Sequence, residues 1–312
     1  MVQKGWGFGS GISIFILAGV AQNIFWSMFA PVGPLESGRM YGVFVAIAQT
    51  LGGGGDIGSL FIRSGGYPGI LGFIATLAVF LIVIYAEGVR VELPISHADY
   101  KGFRSRYPIK LLYVSNLPVI FASALFANVY FFSQLFWSMY NKDLTNPWLN
   151  LLGQFKIPEG STSPQIVNAP SLVYYVTAPR SLLQVQEDPI RAVIYVAILV
   201  GFCIIFSLTW LEVGGLGPRS VAEQLVDSGM HIPGYRRSSK PIELLLKRYI
   251  TPVTILGAII VGVIAGMADF FGVFGSGMGI LLSVGIIYQY YQLLIQERAA
   301  EMFPAFRRVL GE

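Results

Sequence analysis

Residues that could carry covalent or metal chemistry are few and scattered in this sequence. The two histidines, His97 and His231, are far apart, and neither has a cysteine or a second histidine at the spacing of a metal site. No G-x-S-x-G, H-E-x-x-H or Walker pattern is present. The single cysteine, Cys203, lies in an apolar run, and we interpret it as a small buried residue. We therefore expect no enzyme activity, no cofactor and no metal site.

Four charged residues lie beside apolar runs: Glu87, Arg191, Glu212 and Asp269. A coupled transporter usually places such charges in the middle of a membrane helix, where they bind an ion or a substrate. Here all four lie at the predicted helix ends, where we expect them to reach water. A small-solute secondary transporter, with broken-helix entries at the glycine-rich stretches 5–11 and 275–279, is the alternative interpretation.

Basic residues concentrate in two loops, 87–110 and 212–248. The first includes Arg104 and Arg106, and the second includes Arg236 and Arg237. Basic loops often do no more than orient a membrane protein. These two are longer than that role requires, and glycine, proline and aromatic residues lie among their charges. The mixture is typical of a folded docking surface for an anionic partner such as ribosomal RNA.

The composition indicates what positions these residues. Hydrophobic residues make up 54% of the 312 residues and charged residues only 12%, and the mean hydropathy is +0.63, so we predict an all-α polytopic membrane protein. We expect a single membrane domain over 1–312, with Gly262 and Gly266 marking close helix packing. We also predict a short surface helix or strand at 172–176. Six apolar runs are near the ~20 residues that cross hydrocarbon: about 11–30, 68–86, 111–136, 190–211, 249–271 and 277–295.

The distribution of lysine and arginine predicts an orientation. Loop 87–110 carries five of these residues, loop 212–248 carries six and the tail carries three, which is 14 in total. The connections on the other side carry five: Arg39, Arg63, Lys142, Lys156 and Arg180. This alternation predicts that both termini and both basic loops are cytoplasmic.

Several motifs resemble one family of membrane proteins. They are Y-P-I-K-L-L-Y-V-S-N-L-P-V-I at 107–120, A-L-F-A-N at 124–128, G-F-G-S-G-I-S-I-F-I at 7–16 and I-P-G-Y-R at 232–236. These motifs resemble the SecY family of protein-conducting channels, in particular its archaeal members. The family has ten membrane helices in two pseudo-symmetric halves, and the chain resembles helices five to ten. The resemblance therefore implies the C-terminal part of a longer protein, or a split protein whose other chain supplies the first four helices with the plug and half of the lateral gate.

The resemblance also implies residue roles. Ile12, Ile16, Ile120 and Leu282 (with Leu281 as an alternative to Leu282) match positions of the hydrophobic pore ring that closes around a translocating polypeptide. Asn128 matches a polar position at the lateral gate. Arg104 and Arg106, and likewise Arg236 and Arg237, fall in the two protrusions that meet the ribosome or a translocation motor.

The implied function is the central channel subunit of the Sec translocase in the plasma membrane. Such a subunit passes unfolded secretory proteins across the membrane and releases membrane proteins into the bilayer. The implied partners are a SecE-type and a SecG- or Secβ-type small subunit, the ribosome, signal sequences and nascent polypeptides, and the missing N-terminal four helices. An inert helical bundle that becomes useful only with those missing helices is a third possibility.

Overall fold

The computed structural model describes residues 11–33, 38–53, 58–63, 67–97, 104–112, 114, 117–157, 164–227, 230–231 and 239–302. Within these ranges, six helices are long and apolar enough to cross a membrane. This confirms the prediction of an all-α polytopic membrane protein. The six are α1 (Gly11–Phe29), α3 (Ile70–Gly88), α4 (Leu117–Tyr140), α8 (Pro189–Val213), α10 (Ser239–Phe270) and α11 (Gly277–Met302).

Shorter elements connect these helices. The helical ones are α2 (Val43–Gly53), a 3-10 turn (Gly58–Leu60), α5 (Pro147–Leu152), α6 (Leu172–Val176), α7 (Leu182–Glu187) and α9 (Pro218–Asp227). The strands are β1 (Arg90–His97), β2 (Arg104–Lys110), β3 (Phe155–Lys156), β4 (Gln165–Ile166) and β5 (Met230–His231). The predicted short element at 172–176 is therefore a helix. Its predicted place at the surface is wrong, because Val173, Tyr174 and Val176 are buried where α6 packs on α8.

The core forms where α8 and α10 pack together. A Cβ atom on Gly262 would lie 3.0 Å from a methyl carbon of Val200, and one on Gly266 would lie 2.9 Å from a methyl carbon of Val196. Glycine at these positions lets the two helices approach closely. Cys203 is fully buried at this contact, as the sequence predicts.

The first basic loop folds into an antiparallel hairpin, which the sequence analysis did not predict. Strand β1 pairs with β2 from Arg90–Lys110 to Ser96–Arg104. Because β2 continues to Lys110 and a turn follows, α4 begins at Leu117 rather than near 111. The third predicted membrane helix therefore starts too early, because hydropathy alone does not separate an apolar strand end from a helix start.

The parts of the second basic loop that the structure describes, 212–227, 230–231 and 239–248, also contain regular structure. Helix α9 lies within this loop, and α10 begins at Ser239 rather than near 249. A hydropathy profile places the start of α10 too late, because the charged residues Lys240, Glu243 and Lys247 lower the hydropathy of its first turns. Ile242 and Leu246 on the opposite face are fully buried against Leu225 of α9 and Ile109 of β2.

The two ends of the bundle differ. At the end that carries β1 and β2, the Lys110 ammonium lies 3.4 Å from Oε1 of Gln292 and 5.4 Å from the centroid of the Tyr288 ring, both on α11. We call this the hairpin end. At the other end, the turn between α10 and α11 packs on the start of α3, where a Cβ on Gly72 would lie 2.5 Å from the carbonyl oxygen of Gly272. We call this the cavity end.

Candidate functional site: a polar cavity at one end of the bundle

A cavity of about 500 Å³ opens at the cavity end of the bundle. Five of the six long helices contribute lining residues near this end, together with the segment that follows α6. Its polar lining includes Asn23, Ser27, Ser123, Arg180, Tyr195 and Asp269. This space has a polar lining although it lies among helices long enough to span a membrane, so it suits polar groups better than lipid chains.

The wall beside α11 is fixed by one carboxylate. Oδ1 of Asp269 accepts a hydrogen bond from the backbone N–H of Gly277 (2.9 Å), and Oδ2 accepts one from the Tyr195 hydroxyl (3.2 Å). Asp269 thereby satisfies a free N–H group at the start of α11. The turn itself has positive φ at Gly272 (63°), Gly275 (81°) and Ser276 (70°), so the glycines supply the backbone freedom that such a tight turn needs.

The residues that the family resemblance assigns to a pore ring lie nearer the hairpin end than this cavity does. On α1, Asn23 lines the cavity, and Ile16 lies two turns earlier on the same face because seven residues separate them. Ile12 is one turn further along that face. These two side chains are exposed in the chain, Ile12 by 74% and Ile16 by 38%.

The other two helices follow the same pattern. On α4, Ser123 lines the cavity and Ile120 lies three residues earlier. On α11, which runs in the opposite direction, Met278 lines the cavity and Leu282 lies four residues later. Leu282 is half-buried, whereas Leu281 is 1% exposed and belongs to the core. Leu282 is therefore the more suitable of the two for a surface that faces a pore. On all three helices, the branched aliphatic residue lies beyond the polar cavity on the hairpin side.

Asn128 lies on the same helix as Ile120, eight residues later, and its side chain is exposed. Its neighbours Ala127 and Tyr130 line a second cleft of about 620 Å³ between α4 and the segment that precedes α8. The structure thus places Asn128 beside an open cleft rather than in the core. Its role at a lateral gate stays a prediction.

The two basic loops meet in one sheet. Strand β5 of the second loop pairs with β1 of the first, with Ser96 opposite His231, so the strand order is β2-β1-β5. Arg104 and Arg106 lie on β2, and the structure describes their backbone only. Arg236 and Arg237 lie outside the described residues. The pairing of the loops supports one combined surface at the hairpin end.

One charged residue differs from the sequence expectation. Glu87, at the end of α3, is only 7% exposed rather than open to water. The chain after α3 folds back over it, since the N–H of Leu111 donates to the carbonyl of Val89 (2.9 Å). Within the described residues, no group of three or more His, Cys, Asp or Glu residues could hold a metal ion.

A cluster near the second cleft was missed by sequence reasoning. The guanidinium of Arg191 lies 4.0 Å from the centroid of the Tyr174 ring, and its Nε donates to the Tyr174 carbonyl (3.0 Å). Asp188 accepts hydrogen bonds from the Tyr174 hydroxyl (2.8 Å) and the Arg191 N–H (3.2 Å). These contacts anchor α6 on α8. The pair Asp188-Pro189 is a helix-start signal that could have identified Asp188 as a cap.

The same contacts shift two pKa values. The hydrogen bonds from Tyr174 and from the Arg191 N–H hold the pKa of Asp188 below its usual range. Burial, together with the hydrogen bond to Asp188, raises the pKa of Tyr174. Both shifts favour the observed arrangement, in which a protonated phenol donates to an ionised carboxylate.

Comparisons with known proteins agree with this architecture. The SecY family model matches residues 1–291. The protein translocase subunit SecY of Aeropyrum pernix is 38% identical over 312 residues, which cover all of this chain and 63% of that protein. SecY of Methanococcus vannielii is 41% identical over 307 residues, covering 98% and 63%. The chain thus spans about 63% of the length of these curated relatives.

Solved structures give the same result. A structure concerned with the plug domain of SecY and the closed state of its channel has a TM-score of 0.71 and 37% identity, covering 97% of this chain and 63% of that chain. Sec61 in the canine ribosome-channel complex has a TM-score of 0.67 and 35% identity, covering 97% and 62%. Neither set of relatives supports the small-solute transporter interpretation. The chain belongs to the SecY family.

Proposed function

We propose that the chain forms the C-terminal part of a protein-conducting channel that passes unfolded secretory proteins across the plasma membrane. The observation that carries the proposal is the order of polar and aliphatic residues along three helices. On α1, α4 and α11, the faces that line the polar cavity continue toward the hairpin end with Ile16, Ile120 and Leu282.

Physical chemistry explains why such layers suit a polypeptide channel. Branched aliphatic side chains make no directional hydrogen bonds, so a ring of them can widen around any sequence and close behind it. When closed, a narrow apolar constriction opposes the passage of water and ions. The polar cavity then receives the emerging chain in a hydrated space. No covalent step is needed, so the channel acts without catalysis, and a partner supplies the driving energy.

The sheet formed by β1, β2 and β5 is the proposed docking surface for a ribosome or a motor on the cytoplasmic side. The positive charges of both basic loops concentrate at this end, and a sequence-independent attraction to phosphate suits ribosomal RNA. Sec61, one of the structural relatives, is described in a complex with a ribosome. This orientation places both termini of the chain in the cytoplasm.

The proposed assembly contains more than this chain. The first four helices of the family would complete the ring and the lateral gate, and Asn128 would face that gate, where signal sequences enter the bilayer. A SecE-type subunit and a SecG- or Secβ-type subunit would complete the complex.

Reconstitution tests the proposal directly. The chain would be co-reconstituted in proteoliposomes with four preceding family helices and a SecE-type subunit. An unfolded secretory protein would be presented from outside by a translating ribosome, which supplies the driving energy. We expect the protein to become protected from added protease inside the vesicles. We also expect Ile120→Asn to increase the leakage of small ions, because a polar side chain lets water enter the apolar constriction. Protection equal to that of empty liposomes would overturn the proposal.

A further inference from the structure

The face of α10 that points away from the bundle carries a shallow apolar groove of about 520 Å³. Core residues such as Leu246, Ile250 and Gly257 lie on the opposite side of the helix. All residues that line the groove belong to α10 itself: Lys247, Thr251, Pro252, Ile255, Leu256 and Ile259. Nothing in the proposed path of a polypeptide uses this face.

The groove matches one leaflet of a bilayer in length. Lys247 and Ile259 are twelve residues apart, which corresponds to about 18 Å along a helix. One leaflet contributes about half of the ~30 Å hydrocarbon thickness. A single lipid chain therefore fits along the groove from the membrane surface toward the bilayer centre.

The end of the groove nearest the hairpin is cationic. Lys247 and its neighbour Arg248 are both exposed, and neither forms a salt bridge within the described part of the chain. Pro252 has no N–H, so the carbonyl of Arg248 lacks its usual helical donor. A phosphate can pair with the lysine, and a hydroxyl-bearing headgroup can donate to the Arg248 carbonyl in place of the missing N–H.

We propose that this groove binds an anionic phospholipid with a glycerol headgroup, such as phosphatidylglycerol, from the leaflet at the hairpin end. Its phosphate lies against Lys247, and one hydrocarbon chain lies along Pro252, Ile255 and Ile259. A second protein helix is a poorer occupant, because an apolar partner would bury the lysine without a counter-charge. The proposal does not depend on the channel function, because it needs only a membrane-embedded α10.

Native mass spectrometry of the purified, delipidated chain tests the site. Phosphatidylglycerol would be titrated, with phosphatidylcholine and inorganic phosphate as comparison probes. Removing one cation near a membrane surface weakens anionic lipid binding by about fivefold, so we expect Lys247→Gln to raise the apparent Kd for phosphatidylglycerol by about that factor. Lys240→Gln is the matched control, because Lys240 is exposed on the same helix but does not line the groove. It should leave the Kd unchanged.

A second pair of variants tests the apolar part. Leu256→Trp fills the groove and should abolish saturable binding, whereas Leu244→Trp alters an exposed leucine of α10 outside it and should not. Equal Kd values for all four variants, or equal binding of phosphatidylcholine, would overturn the proposal. Complete competition by inorganic phosphate would also overturn the proposal, because it indicates a site for free anions. Dissociation of a dimer by Leu256→Trp would overturn it as well, because it indicates a contact between two copies of the chain.

Discussion

The Tyr195 hydroxyl donates a hydrogen bond to the Asp269 carboxylate in the wall of the polar cavity, at 3.2 Å. This contact joins α8 to the end of α10, just before the turn that leads into α11. Because the second oxygen of Asp269 accepts from Gly277, the pair determines where α11 begins. The position of Leu282, 13 residues after Asp269, follows from that start.

Loss of this carboxylate should destabilise the chain. Asp269→Ala removes two hydrogen bonds to an acidic group and leaves two buried donors without partners, so we expect a loss of about 1.5–3 kcal/mol in the free energy of unfolding. Tyr195→Phe removes one bond and should cost about 1 kcal/mol. Reversible unfolding by SDS in mixed micelles measures both values. Asp143→Ala, at an exposed position, should stay within ~0.5 kcal/mol of the parent chain. Equal stability of Asp269→Ala and Asp143→Ala would contradict the capping role.

The close contact between α3 and the α10–α11 turn gives a second prediction. A methyl group on Gly72 would lie 2.5 Å from the Gly272 carbonyl oxygen and 3.1 Å from the Phe274 ring. Overpacking of this kind costs about 1–3 kcal/mol, so Gly72→Ala should lower the thermal midpoint. Gly201→Ala is the matched control in α8, because open space surrounds that position. Alanine there should be neutral or slightly stabilising. The packing account is wrong if both variants change the midpoint equally.

Acid should weaken the anchor of α6. The folded-state pKa of Asp188 lies below its ordinary value of 3.8, so its ionised form is favoured by folding. The resulting stability is fully present above the unfolded pKa and is lost as the pH falls through the lower folded pKa. We therefore expect the Asp188 contribution to be constant from about pH 5 upward and to decline below about pH 4.

Differential scanning calorimetry between pH 3 and pH 8 checks this profile. Asp188→Asn should remove the part of the fall in stability at acid pH that comes from Asp188. Tyr174→Phe, which removes the donor to Asp188, should reduce that fall partly. If stability falls by the same amount at acid pH in Asp188→Asn as in the parent chain, other groups cause the pH dependence.

The docking surface predicts a salt-dependent interaction. Arg104→Glu on β2 should weaken co-sedimentation with ribosomes and reduce the slope of log K against log salt by about 1, since one phosphate contact is lost. Arg236→Glu in the second loop should act in the same way. Lys142→Glu is the control, because Lys142 is exposed after the end of α4, at the end of the bundle opposite the hairpin. Binding of Arg104→Glu that equals the control at every salt concentration would remove the docking role.

Much of the fold could be predicted from the sequence, because long apolar runs report membrane helices directly. The GxxxG pair Gly262 and Gly266 correctly indicated a close helix contact. The hairpin was missed because β1 and β2 carry mixed charged and apolar residues that resemble a loop. The early start of α10 was missed because its first turns are amphipathic and lie outside the apolar run.

The site was only partly predictable. Ile12, Ile16, Ile120 and Leu282 came from resemblance, because an isoleucine on a membrane helix gives no sign of whether it faces lipid, core or pore. Asp269 was noted as a helix-end charge, but its contact with Tyr195 joins residues 74 positions apart. Such a pairing depends on tertiary packing, which local patterns do not report.

Site-specific photocrosslinking tests the pore most directly. A photoreactive amino acid would replace Ile16 or Ile120 in the co-reconstituted channel, and a secretory chain would be stalled within it. Phe15 and Phe121 are the matched controls. Phe15 projects from another face of α1, and the Phe121 ring packs near Phe206 and Trp210 of α8. We predict strong crosslinks to the stalled chain from Ile16 and Ile120 and much weaker ones from the controls, because a photoreactive group reacts only with what lies in contact with it. Equal crosslinking from all four positions, or none from Ile16 and Ile120, would contradict the proposal that these residues line a polypeptide pore.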